Sequence, residues 1–87
     1  VQYRPNDAHA FNNLGNAYKE IGNYTDAINC YNRAIFIKPD YASAHYNLGI
    51  VYQKKDDYST ALESYKMAAR LAHIGVQKWL KDGGHYW

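Results

Sequence analysis

The 87 residues contain a single cysteine, Cys30, so no disulfide can close within the chain. Disulfide stapling is therefore excluded as a source of stability, and a reducing, cytoplasmic setting is expected. No basic residue flanks Cys30, so an ordinary half-buried thiol is expected rather than a reactive one. No apolar run approaches the roughly 18 residues a membrane span requires. The opening "VQYRPND" lacks a charged stretch followed by an apolar one, so it does not read as a signal peptide. Charge of one sign is scarce too. The formal net charge is +2, and Lys54-Lys55 is followed at once by Asp56-Asp57. Nucleic-acid and membrane surfaces need clustered Lys and Arg, so neither partner is expected. No stretch alternates with period two, so no strand is predicted.

Catalytic constellations are missing as well. His9, His45, His73 and His85 form no zinc-like spacing with one another or with Cys30. Asp56 and Asp57 are adjacent and would point apart, which makes a poor acid–base pair. There is no nucleophile motif and no glycine-rich phosphate loop. No enzyme activity, metal or cofactor is expected.

What the chain has in plenty is tyrosine, ten in all, and repetition. "NNLGNAY" at 12–18 returns as "YNLGIVY" at 46–52. A shift of 34 residues aligns Pro5 with Pro39, Ala8 with Ala42, Ala10 with Ala44 and Asn13 with Asn47. It also aligns Leu14 with Leu48, Gly15 with Gly49 and Tyr18 with Tyr52. The register continues through Tyr24/Tyr58, Ala27/Ala61, Tyr31/Tyr65 and Ala34/Ala68. These residues fall three or four apart, the spacing of one helical face.

The spacing predicts a helix over Asp7–Ile21 with a stripe of Ala8, Phe11, Leu14, Gly15 and Tyr18. Gly22-Asn23 ends it. A second stripe, Tyr24, Ala27, Ile28, Tyr31, Ala34 and Ile35, predicts a helix that stops before Pro39. The pair recurs over Tyr41–Lys54 and Tyr58–Leu71. Gly15 and Gly49 sit mid-helix, where glycine costs about 1 kcal/mol relative to alanine. A cost repeated in register implies close packing. Ala27 and Ala61 are the expected partners, with Tyr18, Tyr31, Tyr52 and Tyr65 filling the space around them.

The arrangement Phe11-x-x-Leu14-Gly15-x-x-Tyr18…Ala27-x-x-x-Tyr31…Pro39 resembles the tetratricopeptide repeat (TPR) signature. The second copy is His45-x-x-Leu48-Gly49-x-x-Tyr52…Ala61-x-x-x-Tyr65. It departs from the pattern at His45, in the large apolar slot, and at His73, where proline would fall. The expected architecture is all-α: a TPR helical-hairpin solenoid of two full repeats plus a C-terminal capping helix, in one domain. Residues 1–7 would be the end of a preceding repeat, because "VQYRP" aligns with "IFIKP". Repeat one would span 8–41, repeat two 42–75, and 76–87 the cap and tail. Trp79 is expected to plug the open end above Val76 and Leu80, with Gly83-Gly84 stopping the helix and the role of His85-Tyr86-Trp87 left open.

The resemblance implies that the first helix of each pair lines a concave face that holds a peptide or protein ligand of unknown sequence. Candidate contacts are Asn12, Asn13, Asn16 and Lys19 from repeat one, and Tyr46, Asn47, Ile50 and Lys54 from repeat two. His9, Glu20, Ser43 and Gln53 lie on the same side. Asparagine competes with helical backbone hydrogen bonds, so three in one helix ask for a reason. Asn13 and Asn47 are equivalent. Either they form a two-rung ladder for a peptide backbone, or they bond between repeats. Tyr46 and Ile50, one turn apart, suggest an apolar anchor beside them. A carboxylate clamp like that of chaperone-binding TPR domains is matched at Asn16, Asn47 and Lys81, but Asn12 and Gln77 stand where cations are expected. A rival reading is self-association, end to end or by swapped hairpins, through the Val1–Tyr3 and Trp79–Trp87 ends, with Phe36 adding to the contact.

Overall fold

The computed structural model describes residues 7–81 of the chain, with side chains through Ala72. Four helices follow one another: α1 (Ala8–Glu20), α2 (Tyr24–Ile37), α3 (Ala42–Lys54) and α4 (Tyr58–Lys81). The described residues contain no strand. Expectations for Val1–Tyr3, Pro5, Gly83-Gly84 and His85-Tyr86-Trp87, and for the side chains of His73, Val76, Gln77, Trp79, Leu80 and Lys81, lie outside the described residues.

Local chemistry sets the helix ends. The Asp7 carboxylate accepts from Ala10 N at 3.2 Å and caps α1. Asn23 caps α2 by accepting from Asp26 N, and its amide donates back to the Asp26 carboxylate at 2.7 Å. Asp57 Oδ1 accepts from Thr60 N at the start of α4. Each cap satisfies backbone donors that the first turn leaves unpaired. Both hairpin turns need one left-handed residue. Gly22 supplies it in repeat one with φ 81°. Its equivalent Asp56 supplies it in repeat two with φ 65°, a conformation that Asp tolerates better than most residues.

α3 is the middle of the stack. It packs on α2 on one side and on α4 on the other, so it is apolar around most of its circumference. Leu48 and Val51 of α3 meet Ala27 and Tyr31 of α2 in one cluster, with Tyr18, Tyr24, Ile28, Ile35 and Tyr52 packed around it. A second cluster joins Ala8, Ala34 and Ala44, one alanine from each of α1, α2 and α3. Burying a side chain the size of Leu48 or Val51 contributes about 1.5–3 kcal/mol.

Three expectations are corrected. The closest atoms to a Cβ placed on Gly15 belong to the Tyr31 ring, at 2.6 Å, and on Gly49 to the Tyr65 ring, at 2.7 Å. Tyrosine therefore lies directly on the glycine, and Ala27 instead faces the next repeat. Leu14 is 45% exposed although Leu48 is 5% exposed. Leu48 packs on α2, the helix that precedes it, and among the described residues no helix precedes α1. Finally, α4 does not stop at Leu71. With His73 where proline would break it, the helix runs on to Lys81, and the segment predicted as a separate cap, including Trp79, begins as its extension. Gly75 alone, costing about 1 kcal/mol, does not interrupt it.

Candidate functional site

The first helices of the two hairpins, α1 and α3, lie side by side. Asn47 Nδ2 of α3 donates to Asn12 Oδ1 of α1 at 3.1 Å across the seam. His9 Nδ1 and the Tyr41 hydroxyl are bonded at 2.9 Å one turn away. Asn12 is only 5% exposed, so its position is set by packing between the helices. Asn13 is exposed. The equivalence of Asn13 and Asn47 thus does not become a symmetric pair: Asn47 meets α1, and among the described residues no helix lies in front of Asn13.

Asn16 is held from behind. The Tyr31 hydroxyl donates to Asn16 Oδ1 in a short bond. In repeat two Tyr65 has the same role but reaches Gln53 Oε1, at 2.8 Å, because Ile50 stands where Asn16 would be. His45, in the slot filled by Phe11 in repeat one, bonds the Pro39 carbonyl at 3.1 Å. Phe11 itself is half-buried, with the Arg33 guanidinium 5.8 Å above its ring.

Lys19 and Lys54 are brought together. They line a cleft of about 390 Å³ at the α1–α2 turn, with Glu20, Gly22 and Tyr24. Glu20 shares this cleft, so the two cations do not stand alone. Tyr46 and Ile50 do not line the same groove. Tyr46 is 53% exposed and tilts against Tyr65, with ring centroids 5.6 Å apart. It lines an open groove of about 470 Å³ with Ala42, Ser43, Ala68 and Ala72, and Ile50 does not take part. Sequence reasoning missed this groove, because its α4 wall lies on the second helix of the pair. The signal was present: Tyr65, Ala68 and Ala72 are one face of a helix.

Two titrating groups are displaced by their surroundings. Burial, and then the Asp26 carboxylate, raise the Cys30 thiol, which stays protonated and unreactive. Burial pushes the Tyr31 hydroxyl up to about 12, with Cys30 and Glu20 adding to it. An unfolded tyrosine loses its proton near 10, so between about 10 and 12 the folded chain holds the extra proton. That stabilisation is complete below about pH 10 and is lost as pH rises through the folded value. Unfolding free energy is expected to fall by at most about 2–3 kcal/mol over this window. Urea melts at pH 9 and at higher pH test it, and Tyr31→Phe should give the shallower dependence.

Among the described residues, no group of three or more His, Cys, Asp or Glu side chains is placed to hold a metal ion. No described helix is long and apolar enough to cross a membrane.

Paired antiparallel helices stacked in register, with glycine under tyrosine in each pair, define a helical-hairpin repeat protein. The TPR repeat family model matches residues 15–56, and the tetratricopeptide repeat model matches residues 42–73. Together they cover 15–73, and the chain belongs to the tetratricopeptide repeat family. The crystal structure of MamA is similar, with a TM-score of 0.78 at 28% identity over 80% of this chain. The chain spans 41% of that protein's length. No curated protein matches the sequence. TPR repeats are generally protein-interaction modules, and the fold is typically that of a non-catalytic scaffold.

Proposed function

We infer that the chain binds an extended peptide along the strip formed by α1 and α3, without catalysis. The observation that supports this most is the way two amides are oriented. Asn16 Oδ1 is committed to Tyr31, which leaves its Nδ2 as a donor. Asn47 Nδ2 is committed to Asn12, which leaves its Oδ1 as an acceptor. A donor and an acceptor on neighbouring helices, each fixed by a partner inside the fold, suit the C=O and N–H groups of a peptide backbone. Fixing them before binding lowers the ordering cost of the complex. Asn13 adds an exposed amide, and Ile50, three residues along α3 from Asn47, a half-buried apolar side chain. Asn12 supports Asn47 from behind, and Lys19 and Lys54 lie at one end of the strip, where an acidic side chain of the ligand would reach them. Tyr46 borders the strip. A buried, protonated Cys30 suits a reducing compartment such as the cytoplasm.

The test is an unbiased peptide-display selection against the purified chain and against Asn13→Ala/Ile50→Ala. Neither substitution removes a hydrogen bond of the fold, so circular dichroism should be unchanged. A shared motif enriched on the parent and lost on the double variant is expected. No enrichment on the folded parent would overturn the reading.

A further inference from the structure

Each hairpin has one tyrosine on its second helix whose ring lies against a glycine of the first, Tyr31 on Gly15 and Tyr65 on Gly49. Packing explains the rings but not the hydroxyls. Both hydroxyls reach the first helix of their own pair and donate to a side-chain amide oxygen, Tyr31 to Asn16 and Tyr65 to Gln53 at 2.8 Å. The 34-residue register would put the second acceptor at residue 50, but Ile50 has no polar side chain, and the bond moves one turn on to Gln53. The counterpart of Gln53 in repeat one is Lys19, so repetition alone does not account for an amide at this position. Gln53 is exposed, and among the described residues its Nε2 has no partner. An exposed glutamine ordinarily has rotamer freedom to lose when it binds, and the Tyr65 hydroxyl removes part of that freedom in advance.

We propose that Gln53 is a further peptide contact of the α1–α3 strip and that Tyr65 is the positioning residue that aims it, which rests on the reading of that strip as a site for an extended peptide. Tyr65 occupies Oε1, so Nε2 is left to donate to a peptide carbonyl. Three oriented groups then stand at successive turns of the repeat register: the Asn47 Oδ1 acceptor, the Asn16 Nδ2 donor and the Gln53 Nε2 donor. Asn47 and Gln53 are six residues apart on α3, which is about 9 Å of helical rise. Groups on the same side of an extended peptide recur about every 6.5–7 Å. The glutamine side chain is one methylene longer than the asparagine, and side chains lean toward the helix N-terminus, so the two spacings converge. A peptide lying along α3 thus meets Asn47 with the N–H of one residue and Gln53 with the C=O of the residue two positions away.

The probe is the peptide most enriched on the parent chain in the display selection, synthesised with a fluorophore. Its Kd is read by fluorescence anisotropy, at high salt so that an added charge is screened, for the full chain, Gln53→Glu, Tyr65→Phe and the double variant. Gln53→Glu keeps an oxygen for the Tyr65 hydroxyl and removes the N–H, so it separates donation to the peptide from packing within the fold. Glutamate is a good helix former and phenylalanine keeps the ring on Gly49, so circular dichroism should be unchanged. Gln53→Glu is expected to weaken binding about 3–10-fold, the loss of one hydrogen bond. Tyr65→Phe should weaken it about twofold by freeing the amide, and should have no further effect once Gln53→Glu is present. Binding that Gln53→Glu leaves unchanged, on a chain where Asn13→Ala/Ile50→Ala abolishes it, overturns the role of Gln53 and leaves the peptide site standing. A Tyr65→Phe loss of equal size with and without Gln53→Glu overturns the aiming role of Tyr65. A folded parent that enriches no peptide overturns both the peptide site and the role of Gln53 in it.

Discussion

Tyr31→Ala is expected to lower the unfolding free energy by about 3–5 kcal/mol, the range for emptying a large aromatic site in a core. Tyr65→Ala, the same substitution at the same position of the motif, should cost only about 1–2 kcal/mol. The difference lies in what surrounds each ring. Tyr31 is fully buried, with Gly15 beneath it, Ala27 beside it and Leu48 and Val51 of α3 over it. Tyr65 has Gly49 beneath it but opens onto the groove on its other side. A domain of this length has roughly 4–13 kcal/mol of stability in total. The first variant therefore loses a large part of it, and the second a small part. Denaturant midpoints at unchanged slope measure both. Equal losses would mean that the burial of Tyr31 by the following repeat adds little.

A second contrast concerns the glycines. Helix propensity alone says that Gly15→Ala should stabilise α1 by about 1 kcal/mol. The new Cβ would lie 2.6 Å from Tyr31 Cε1, closer than real contacts come. Overpacking of this kind costs about 1–3 kcal/mol when the neighbour cannot move. Tyr31 is enclosed and its hydroxyl is bonded to Asn16, so it cannot yield. The steric cost wins, and Gly15→Ala should be destabilising by roughly 1–2 kcal/mol net. Gly49→Ala meets Tyr65 at 2.7 Å, yet that ring can tilt into open space. Its two terms nearly cancel, and a change within about 0.5 kcal/mol is expected. Combining Gly15→Ala with Tyr31→Leu should recover part of the loss, since residues in contact do not add independently. Thermal or urea unfolding of the four variants decides it, and simple additivity would show that the ring is not what limits Gly15.

The helices themselves were legible from local chemistry. Gly22-Asn23 as a break and Pro39 as a stop act within a few residues of where they stand. Their effects therefore follow from sequence alone. The ends of α1, α2 and α3 fall within a residue or two of the predicted limits for that reason. The caps at Asp7, Asn23 and Asp57 were seen only in the structure. The end of α4 was not legible. His73 and Gly75 are weak breakers, and the choice to continue depends on what the helix packs against.

The candidate site was half legible. That Asn16 and Asn47 lie on the α1–α3 side follows from the 3.6-residue period. That Asn12 is sealed in the seam while Asn13 is exposed does not, because the two are adjacent in sequence and differ only in which helix lies opposite. The groove under Tyr46 was missed because its other wall, Tyr65, Ala68 and Ala72, lies on α4, the second helix of the pair.

By itself, then, the sequence determined the repeat, its 34-residue register and the two hairpins. These are consequences of period and local propensity, and the same residues recur in both copies. The tyrosine that lies on each glycine, in place of the expected alanine, came from the structure. The tertiary structure decided how equivalent residues differ. Leu14 and Leu48, Ala17 and Val51, Tyr31 and Tyr65 share motif positions but not burial. Burial depends on the neighbour across the stack, and among the described residues α3 lies over Tyr31 while no described helix lies over Tyr65 in the same way.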